Sequence, residues 1–209
     1  MHKMILLTKN LKMTGRLLIA LGLFICLSVN AQSVKLKNVF NGKNFKNWVV
    51  PENNIWWSVY DEVLHAKSDS NKKGSILWTK KSYTDFVFET EFLFGEGTVD
   101  SGIFLRTDKQ QIQLGISGSL KRDMTGSPYI PGKGYPVEAS RIQELLKLND
   151  WNIIKVKAVK EVYTIWLNNV EILTYTSEDV PEKGPVGLQL HPQRDMEISF
   201  KNIKIAKLK

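Results

Sequence analysis

Apolar and polar residues alternate with a period of two along much of this sequence. The clearest run is Phe86–Phe94, where every second position is Phe or Thr and where Glu89 and Glu91 lie between them. Successive side chains of a β-strand point to opposite sides, so this alternation is typical of a strand with one buried face. It predicts a strand that turns its Phe side chains to the core and both glutamates to solvent.

Other short segments show the same period or are continuously apolar, and turn residues such as Asn168-Asn169 separate them. They are Trp57–Tyr60, Val63–Lys67, Ser75–Thr79, Gly102–Arg106, Ile112–Ser117, Asn152–Val159, Tyr163–Leu167, Val170–Tyr175, Gly187–His191 and Met196–Ala206. Many short strands at this spacing predict an all-β fold, a two-sheet antiparallel jelly-roll sandwich. Helical spacing occurs at Arg141–Leu148, which predicts one short helix.

One long segment, Gly118–Ala139, follows neither period. It contains three prolines and four glycines together with tyrosines and charges of both signs. Loops of this length are generally disordered or functional, and the aromatic residues favour a structured loop. We expect this loop to act as a lid over a site, with the sandwich folding independently of it.

The N-terminal residues have the organisation of a secretory signal. Met1–Arg16 carries four basic residues and no acid, Leu17–Val29 is almost wholly apolar, and Ala31 provides a small residue before a cleavage point. This pattern predicts a signal peptide over residues 1–31 and a single domain over 32–209, exported to the periplasm or the medium. The apolar core is shorter than the ~20 residues of a membrane span, so no integral span is expected.

The single cysteine, Cys26, lies inside that apolar core. Cleavage would leave no cysteine for a disulfide, a thiolate nucleophile or a zinc–thiolate site. Lipid anchoring at Cys26 is the alternative, but Leu23-Phe24-Ile25 lacks the small residue expected before a lipidated cysteine. Cleavage would also remove much of the net charge of +8, and no basic stripe suggests a nucleic-acid partner.

Nine short motifs follow one another along the chain. They are VFNGKNFKNW (Val39–Trp48), WWSVYDEVL (Trp56–Leu64), LWTKKSYTDFVFETEF (Leu77–Phe92), DSGIFLR (Asp100–Arg106), QIQLG (Gln111–Gly115), DWNIIKVKA (Asp150–Ala158), IWLNNVEI (Ile165–Ile172), GPVGLQLH (Gly184–His191) and FKNIKI (Phe200–Ile205). In this order they resemble one family, the 3-keto-disaccharide hydrolase domain. The resemblance covers residues 38–207 and implies a concanavalin A-like fold and a secreted protein that acts on an oligosaccharide or glycoside.

The chemistry that this resemblance implies is cleavage of glycosides oxidised to a ketone at C3. A C3 carbonyl acidifies the C2 hydrogen, and the resulting enolate expels the group at C1. Such a site needs a base near C2, donors or a cation near O3, and an acid near the glycosidic oxygen. The sequence departs from the family pattern at Gln111 and Gly115, where acidic residues are common, so a non-catalytic carbohydrate-binding module is the alternative.

Four residues are candidates for catalysis. The GLQLH motif ends at His191, a side chain readily tuned to act as a base near neutral pH. Arg106 ends DSGIFLR and is a candidate cation for the enolate oxygen. Glu138 and Asp123 are acidic residues of the long loop. A divalent metal held by His191 and a loop carboxylate is a further alternative, although no ligand spacing establishes one and no cofactor is evident.

Substrate contacts are expected from amides and from the loop. Gln111, Gln113 and Gln189 interrupt apolar strands, and buried amides need hydrogen-bond partners that sugar hydroxyls can provide. The loop offers Lys121, Arg122, Tyr129 and Tyr135, while Asp100 is expected only to order a turn. Among the tryptophans, Trp48, Trp57, Trp151 and Trp166 are expected in the core, and Trp56 and Trp78 nearer the surface.

Overall fold

The computed structural model describes residues 34–208, which form strands and one short helix. The elements are β1 (Lys37–Asn38), β2 (Trp48–Val49), β3 (Trp57–Tyr60), β4 (Val63–Lys67), β5 (Ser75–Tyr83), β6 (Phe86–Gly97), β7 (Asp100–Leu105), β8 (Gln111–Gly115), β9 (Pro128–Tyr129), α1 (Ile142–Leu145), β10 (Asn152–Val159), β11 (Val162–Leu167), β12 (Val170–Thr176), β13 (Gly184–Leu190) and β14 (Met196–Lys207).

These strands make two antiparallel sheets. The eight-stranded sheet has the order β12-β11-β10-β6-β14-β4-β3, with β1 paired to β14, and the six-stranded sheet has the order β2-β5-β13-β7-β8-β9. The chain passes from one sheet to the other after β1, β2, β4, β5, β6, β9, β12 and β13. Residues of both sheets share one hydrophobic core, so the predicted all-β, two-sheet jelly-roll fold is confirmed.

The core follows from the alternation in the sequence. Phe86, Phe88 and Phe92 of β6 are fully buried, and Ile103 and Leu105 of β7 meet them from the other sheet. Burying side chains of this size provides about 1.5–3 kcal/mol each, which is the main source of stability in such a sandwich. The outward positions of β6 are polar, as predicted: Glu89 pairs with Lys204 and Glu91 with Lys201.

The expectation that Trp151 and Trp166 belong to the core is wrong. Both side chains lie half-buried on the outer face of the eight-stranded sheet. Their strands do alternate, but the neighbouring residues Asn152 and Leu167 take the inward positions. Each indole instead contacts a lysine: Lys201 Nζ lies 4.0 Å from the Trp151 ring centre, and Lys155 Nζ lies 4.8 Å from that of Trp166. Trp48 and Trp57 are buried in the core, as expected.

The long segment 118–139 is not a separate lid. Its middle part contains β9, which extends the six-stranded sheet, and Met124, Thr125 and Ser127 are buried. Gln113 N donates to Ser127 O at 2.9 Å and Gly126 N donates to Gln113 O at 2.8 Å. The segment is therefore part of the sandwich, because its backbone pairs with N–H and C=O groups at the edge of β8.

One further difference concerns the helix. The helix covers only Ile142–Leu145, since Arg141 adopts a left-handed conformation with φ of 60° and starts it abruptly. The signal peptide predicted at residues 1–31 and Cys26 lie outside the described residues. Within residues 34–208, no helix has the length and apolar character needed to cross a bilayer.

Candidate functional site

Side chains form rows across the outward face of the six-stranded sheet. Residues directly opposite each other in antiparallel strands share a face. One row of such partners consists of Val49, Trp78, Gly187, Phe104, Gln111 and Tyr129. Gln113 and Gln189 are two residues further along β8 and β13 and so project from the same face. The face is therefore apolar towards β2 and polar towards β9.

Two glycines let large side chains lie flat on this face. A Cβ at Gly187 would lie 2.6 Å from the Trp78 ring, and one at Gly102 would lie 2.3 Å from Gln111 Nε2. The Trp78 ring thus extends over β13, where its centre is 5.6 Å from that of Phe104. Gln111 extends over β7 towards Gln189. Only a residue without a side chain permits these approaches, since Cβ atoms do not come within 3.0 Å of such groups.

A buried hydrogen-bond network joins the polar part of the face. Asp100 is 3% exposed and accepts hydrogen bonds from Gln113 Nε2 at 2.8 Å and from Arg194 Nε at 3.1 Å. Gln111 Nε2 then donates to Gln113 Oε1 at 2.9 Å and to Gln189 Oε1 at 3.1 Å. Buried polar groups that are joined in this way hold one another in a single arrangement.

The carboxylate of Asp100 fixes the direction of this network. An ionised carboxylate only accepts, so Gln113 must turn its NH2 group to Asp100 and its oxygen to Gln111. Gln111 must therefore donate to Gln189. This order leaves Gln189 Nε2 as a donor and Gln111 Oε1 as an acceptor without a hydrogen-bond partner among residues 34–208. The floor of the site can thus meet a ligand with one donor and one acceptor side by side.

A cavity of about 300 Å³ opens above this floor. Its lining combines residues of β7 and β8 with residues of the turn after β13 and of the segment that follows β8. The lining residues are Asp100, Gln111, Gln113, Ser117, Gly118, Ser119, Tyr129, Tyr135, His191 and Arg194. The structure thereby brings together five of the residues predicted from the sequence, namely Gln111, Gln113, Tyr129, Tyr135 and His191, and Gln189 joins them through Gln111.

His191 is half-buried at the end of β13. Its Nδ1 lies 2.6 Å from the carbonyl oxygen of Pro192. A carbonyl only accepts, so Nδ1 carries the proton in the neutral ring and Nε2 carries the lone pair. The turn therefore selects the tautomer in which Nε2 is available as a base.

The two tyrosines enter the cavity from the opposite wall, with their ring centres 5.1 Å apart. Burial raises the pKa of Tyr135 to about 12, because removing the phenol from water disfavours the charged phenolate. Tyr135 is therefore a neutral O–H donor at any physiological pH. Next to it, the Arg194 guanidinium is held by Asp100 through Nε, and its terminal NH2 groups make no hydrogen bond within the described residues. A fixed cation and a neutral phenol thus face the same space.

Arg106 does not join this cavity. It follows the last residue of β7, whereas Asp100 is the first, which separates the two by about 20 Å along the strand. Its guanidinium is buried and occupied: Nε donates to Thr84 O and Nη1 to Lys160 O, both at 2.7 Å, and Nη2 lies 3.5 Å from Asp85 Oδ1. Arg106 ties together turns at the far end of the sandwich.

The charged loop candidates also lie elsewhere. Arg122, Asp123 and Glu138 line a different cavity of about 400 Å³ with Ile142. Arg122 and Glu138 form an exposed ion pair, which raises the pKa of the arginine and lowers that of the glutamate. Asp123 Oδ1 accepts from Thr125 N at 2.8 Å and orders the turn. Lys121 is exposed and lines neither cavity.

The structure separates the residues that were expected to hold a divalent metal. The carboxylates expected to share an ion with His191 are those of the loop, and they line the other cavity. Within residues 34–208, no three His, Cys, Asp or Glu side chains are grouped as metal ligands would be.

Two residues of the site were not among the sequence candidates. Asp100 was expected to order a turn, but it lies in β7 and anchors the amide network. Asp100, Gly102 and Phe104 are every second residue of one strand, so their side chains share the face from which the glutamines of β8 project. This alternation is the sequence signal that could have indicated the role of Asp100. Arg194 follows His191 closely in the sequence, but nothing in its own neighbourhood indicates a partner 94 residues away.

A comparison with protein families gives a match over residues 35–206 to the 3-keto-alpha-glucoside-1,2-lyase-like domain. The chain belongs to this family. The membership predicted from the ordered motifs is confirmed, and the fold is one shared by carbohydrate-active, glycosyl hydrolase-like proteins and by carbohydrate-binding modules. No curated protein sequence matches the chain at a significant level.

Solved structures show the same fold. A Parabacteroides distasonis protein with a provisional assignment as a glycosyl hydrolase is 22% identical, with a TM-score of 0.64 over 83% of this chain and 100% of its own. The carbohydrate-binding module CBM66 from Bacillus subtilis is 17% identical, with a TM-score of 0.51 over 78% and 98%. The VIP36 exoplasmic/lumenal domain, in a Ca²⁺- and Man3GlcNAc-bound form, is 9% identical, with a TM-score of 0.62 over 83% and 90%. At these identities the likeness shows the fold alone.

Proposed function

We propose that the cavity on the six-stranded sheet binds a glycoside and cleaves its 3-keto form by enolate-assisted elimination and hydration. The observation that carries this proposal is the grouping in one cavity of a histidine with a free Nε2, a carboxylate-held arginine and a neutral tyrosine over an amide floor. These are the base, the cation and the proton donor that the elimination requires.

The floor is suited to one sugar ring. Neighbouring hydroxyls of a sugar both donate and accept. Gln111 Oε1 is an acceptor in the lining of the cavity, and Gln189, which lines the adjoining groove, offers Nε2 as a donor beside it. A cavity of about 300 Å³ is at the lower end of the range for small-molecule sites, which fits a monosaccharide unit better than a longer chain.

The reaction divides into two proton transfers. His191 Nε2 removes the proton from C2, and the C2–H electron pair forms the enolate with the C3 oxygen. Arg194 stabilises the negative charge on that oxygen. The enolate then collapses to a C1–C2 double bond, the C1–O bond breaks, and Tyr135 protonates the departing oxygen. Addition of water across C1–C2 gives the free 3-keto sugar, and release before that addition gives the unsaturated product.

The test compares the 3-keto and unoxidised forms of one glycoside with purified protein, with and without chelator. We expect release of the aglycone from the 3-keto form alone. His191→Gln should keep the melting temperature and slow turnover about 10²–10⁴-fold, which is the usual contribution of a positioned base. His65→Gln, which changes the histidine on the other sheet, is the matched control. Loss of turnover with chelator would show that a metal takes part.

One observation favours a second candidate function, carbohydrate binding without cleavage. Asp100 is the one carboxylate among the described residues that line the cavity, and both of its oxygens already accept hydrogen bonds from Gln113 and Arg194. His191 Nδ1 faces a backbone carbonyl instead, so no carboxylate of residues 34–208 supports His191 as a base. If neither form of the glycoside is turned over while the unoxidised sugar binds, the protein is a binding module. Exchange of the C2 hydrogen in deuterated water gives a second readout, since a competent base exchanges it even when elimination is slow.

A further inference from the structure

A second groove lies beside the sugar cavity on the same face. Its volume is about 650 Å³ and its walls include Val49, Trp56, Ile76, Trp78 and Pro192. Gln189 connects the two spaces, because it lines the groove and also accepts a hydrogen bond from Gln111 in the floor of the sugar cavity. A ligand that occupies the sugar cavity therefore has this groove as its immediate continuation.

We propose that this groove binds the leaving-group half of the substrate, and that this half is an aglycone with a flat apolar face, as in an aryl glycoside. The proposal rests on the proposed function, because only a cleaved glycoside has a leaving group. The groove itself is a feature of the structure whether or not cleavage occurs. Trp78 provides the platform, since its indole lies flat over Gly187 and packs against Phe104.

The polar atoms of the groove are the reason for choosing an aryl group over a second sugar. Trp56 donates its indole N–H to Asp69 at 3.1 Å, and the Ser75 hydroxyl accepts from the indole N–H of Trp57 at 2.8 Å. The Trp56 N–H is thus occupied by the protein, and the Ser75 oxygen already accepts one hydrogen bond. The other polar lining groups are the Gln189 amide, which adjoins the sugar cavity through Gln111, and the carboxylate of Glu52, an exposed residue. A second sugar ring would bury several hydroxyls with few partners, whereas an aromatic ring needs only the apolar surface that Trp78 and Ile76 provide.

The decisive experiment measures binding of two unoxidised glycosides with the same sugar, one a methyl and the other an aryl glycoside, by calorimetry. Trp78→Ala should weaken binding of the aryl glycoside about 10- to 50-fold and change that of the methyl glycoside less than twofold. Trp78→Phe should restore most of the loss. Trp151→Ala, which removes a half-buried tryptophan from the other sheet, is the matched control and should change neither affinity.

A second variant keeps the test valid if Trp78→Ala does not fold. Val49 is 51% exposed on the edge strand β2, so Val49→Glu places a charge in the groove without disturbing the core. It should weaken the aryl glycoside several-fold and spare the methyl glycoside.

Equal loss for both glycosides, or loss for neither, would overturn the proposal. So would a disaccharide of the same sugar that depends on Trp78 as strongly as the aryl glycoside does. These results are independent of catalysis: a protein that turns over no 3-keto substrate can still show the Trp78-dependent preference, and an active enzyme can lack it. A negative result in the turnover assay therefore does not imply a negative result in the binding assay, and the reverse also holds.

Discussion

Asp100 is the residue on which the arrangement of the site depends most directly. It is buried, and its two oxygens hold Gln113 and Arg194 at 2.8 and 3.1 Å. Asp100→Asn keeps the shape of the side chain but supplies only one acceptor oxygen, so one of these donors meets an NH2 group. If that donor is Gln113, its amide must turn over, and Gln111 and Gln189 must then follow, which reverses the donor and acceptor offered to the sugar.

The magnitude can be estimated from these contacts. A hydrogen bond to a charged group contributes about 1.5–3 kcal/mol, and breaking a buried ion pair costs about 3–5 kcal/mol. The Arg194 side chain is 25% exposed, so water compensates part of its loss. We expect Asp100→Asn to lower the free energy of unfolding by about 1–2 kcal/mol and Asp100→Ala by about 2–3 kcal/mol.

Urea denaturation gives the stability, and calorimetry with an unoxidised glycoside gives the binding. A folded Asp100→Asn protein should bind the sugar at least about 10-fold more weakly, because a mispaired donor and acceptor cost about 1–3 kcal/mol. Asp123→Asn is the matched control, since it removes the same charge from a turn outside the cavity. Sugar binding within twofold of the wild type in Asp100→Asn would refute the claim that this carboxylate sets the polarity of the floor.

Three further predictions concern stability. Arg106→Ala should lower the free energy of unfolding by about 3–4 kcal/mol, because it deprives two backbone carbonyls of a buried charged donor, and an unchanged denaturation midpoint would contradict this. Trp151→Ala should cost less than about 2 kcal/mol, as expected for a half-buried side chain with a cation–π contact, and a larger loss would place the indole in the core after all. Burial lowers the pKa of His65, so the unfolded chain binds more protons as the pH falls below 6.5; stability should decrease there, and His65→Gln should reduce this dependence.

The sequence was sufficient for the fold because its alternation is strict where the core is largest. In β6, β10 and β14 nearly every inward position is apolar, and the turn at Asn168-Asn169 has the positive φ values, 50° and 69°, that asparagine tolerates. Alternation also defines two faces, but it does not say which face of a strand is inward when both carry large apolar residues. Trp151 and Trp166 were misplaced for this reason.

The site was predictable in its local part only. Gln111, Gln113 and Gln189 stand out as amides in apolar strands, and the strand pattern places them on one face. Asp100 and Arg194, however, meet only after β7 and the turn following β13 come together, and no local pattern records that contact. Arg106 illustrates the opposite error. It ends a motif that resembles the family's, but its guanidinium binds backbone carbonyls of turns far from the cavity.

The long segment 118–139 provides the last test, because the sequence and the structure lead to opposite expectations for it. If the segment were an independent lid, replacing Lys121–Lys133 with a short Gly/Ser linker would leave the sandwich folded. In the structure the same deletion removes β9, the buried Met124 and the Thr125 hydroxyl that accepts from Gly115 N at 2.8 Å. Loss of a buried methionine alone costs about 2–5 kcal/mol, and each lost hydrogen bond about 1 kcal/mol more.

We therefore expect the deletion variant to be insoluble or to lose at least about 4 kcal/mol of unfolding free energy. Replacing only Pro131–Lys133 with Asn-Gly is the control, because these residues form an exposed turn between Ile130 and Gly134, and a two-residue turn closes the same bridge. That variant should melt within a few degrees of the wild type. A cooperative transition of wild-type midpoint in the Lys121–Lys133 deletion would show that the segment contributes nothing to the sandwich, and that β8 tolerates an open edge beside the amide floor.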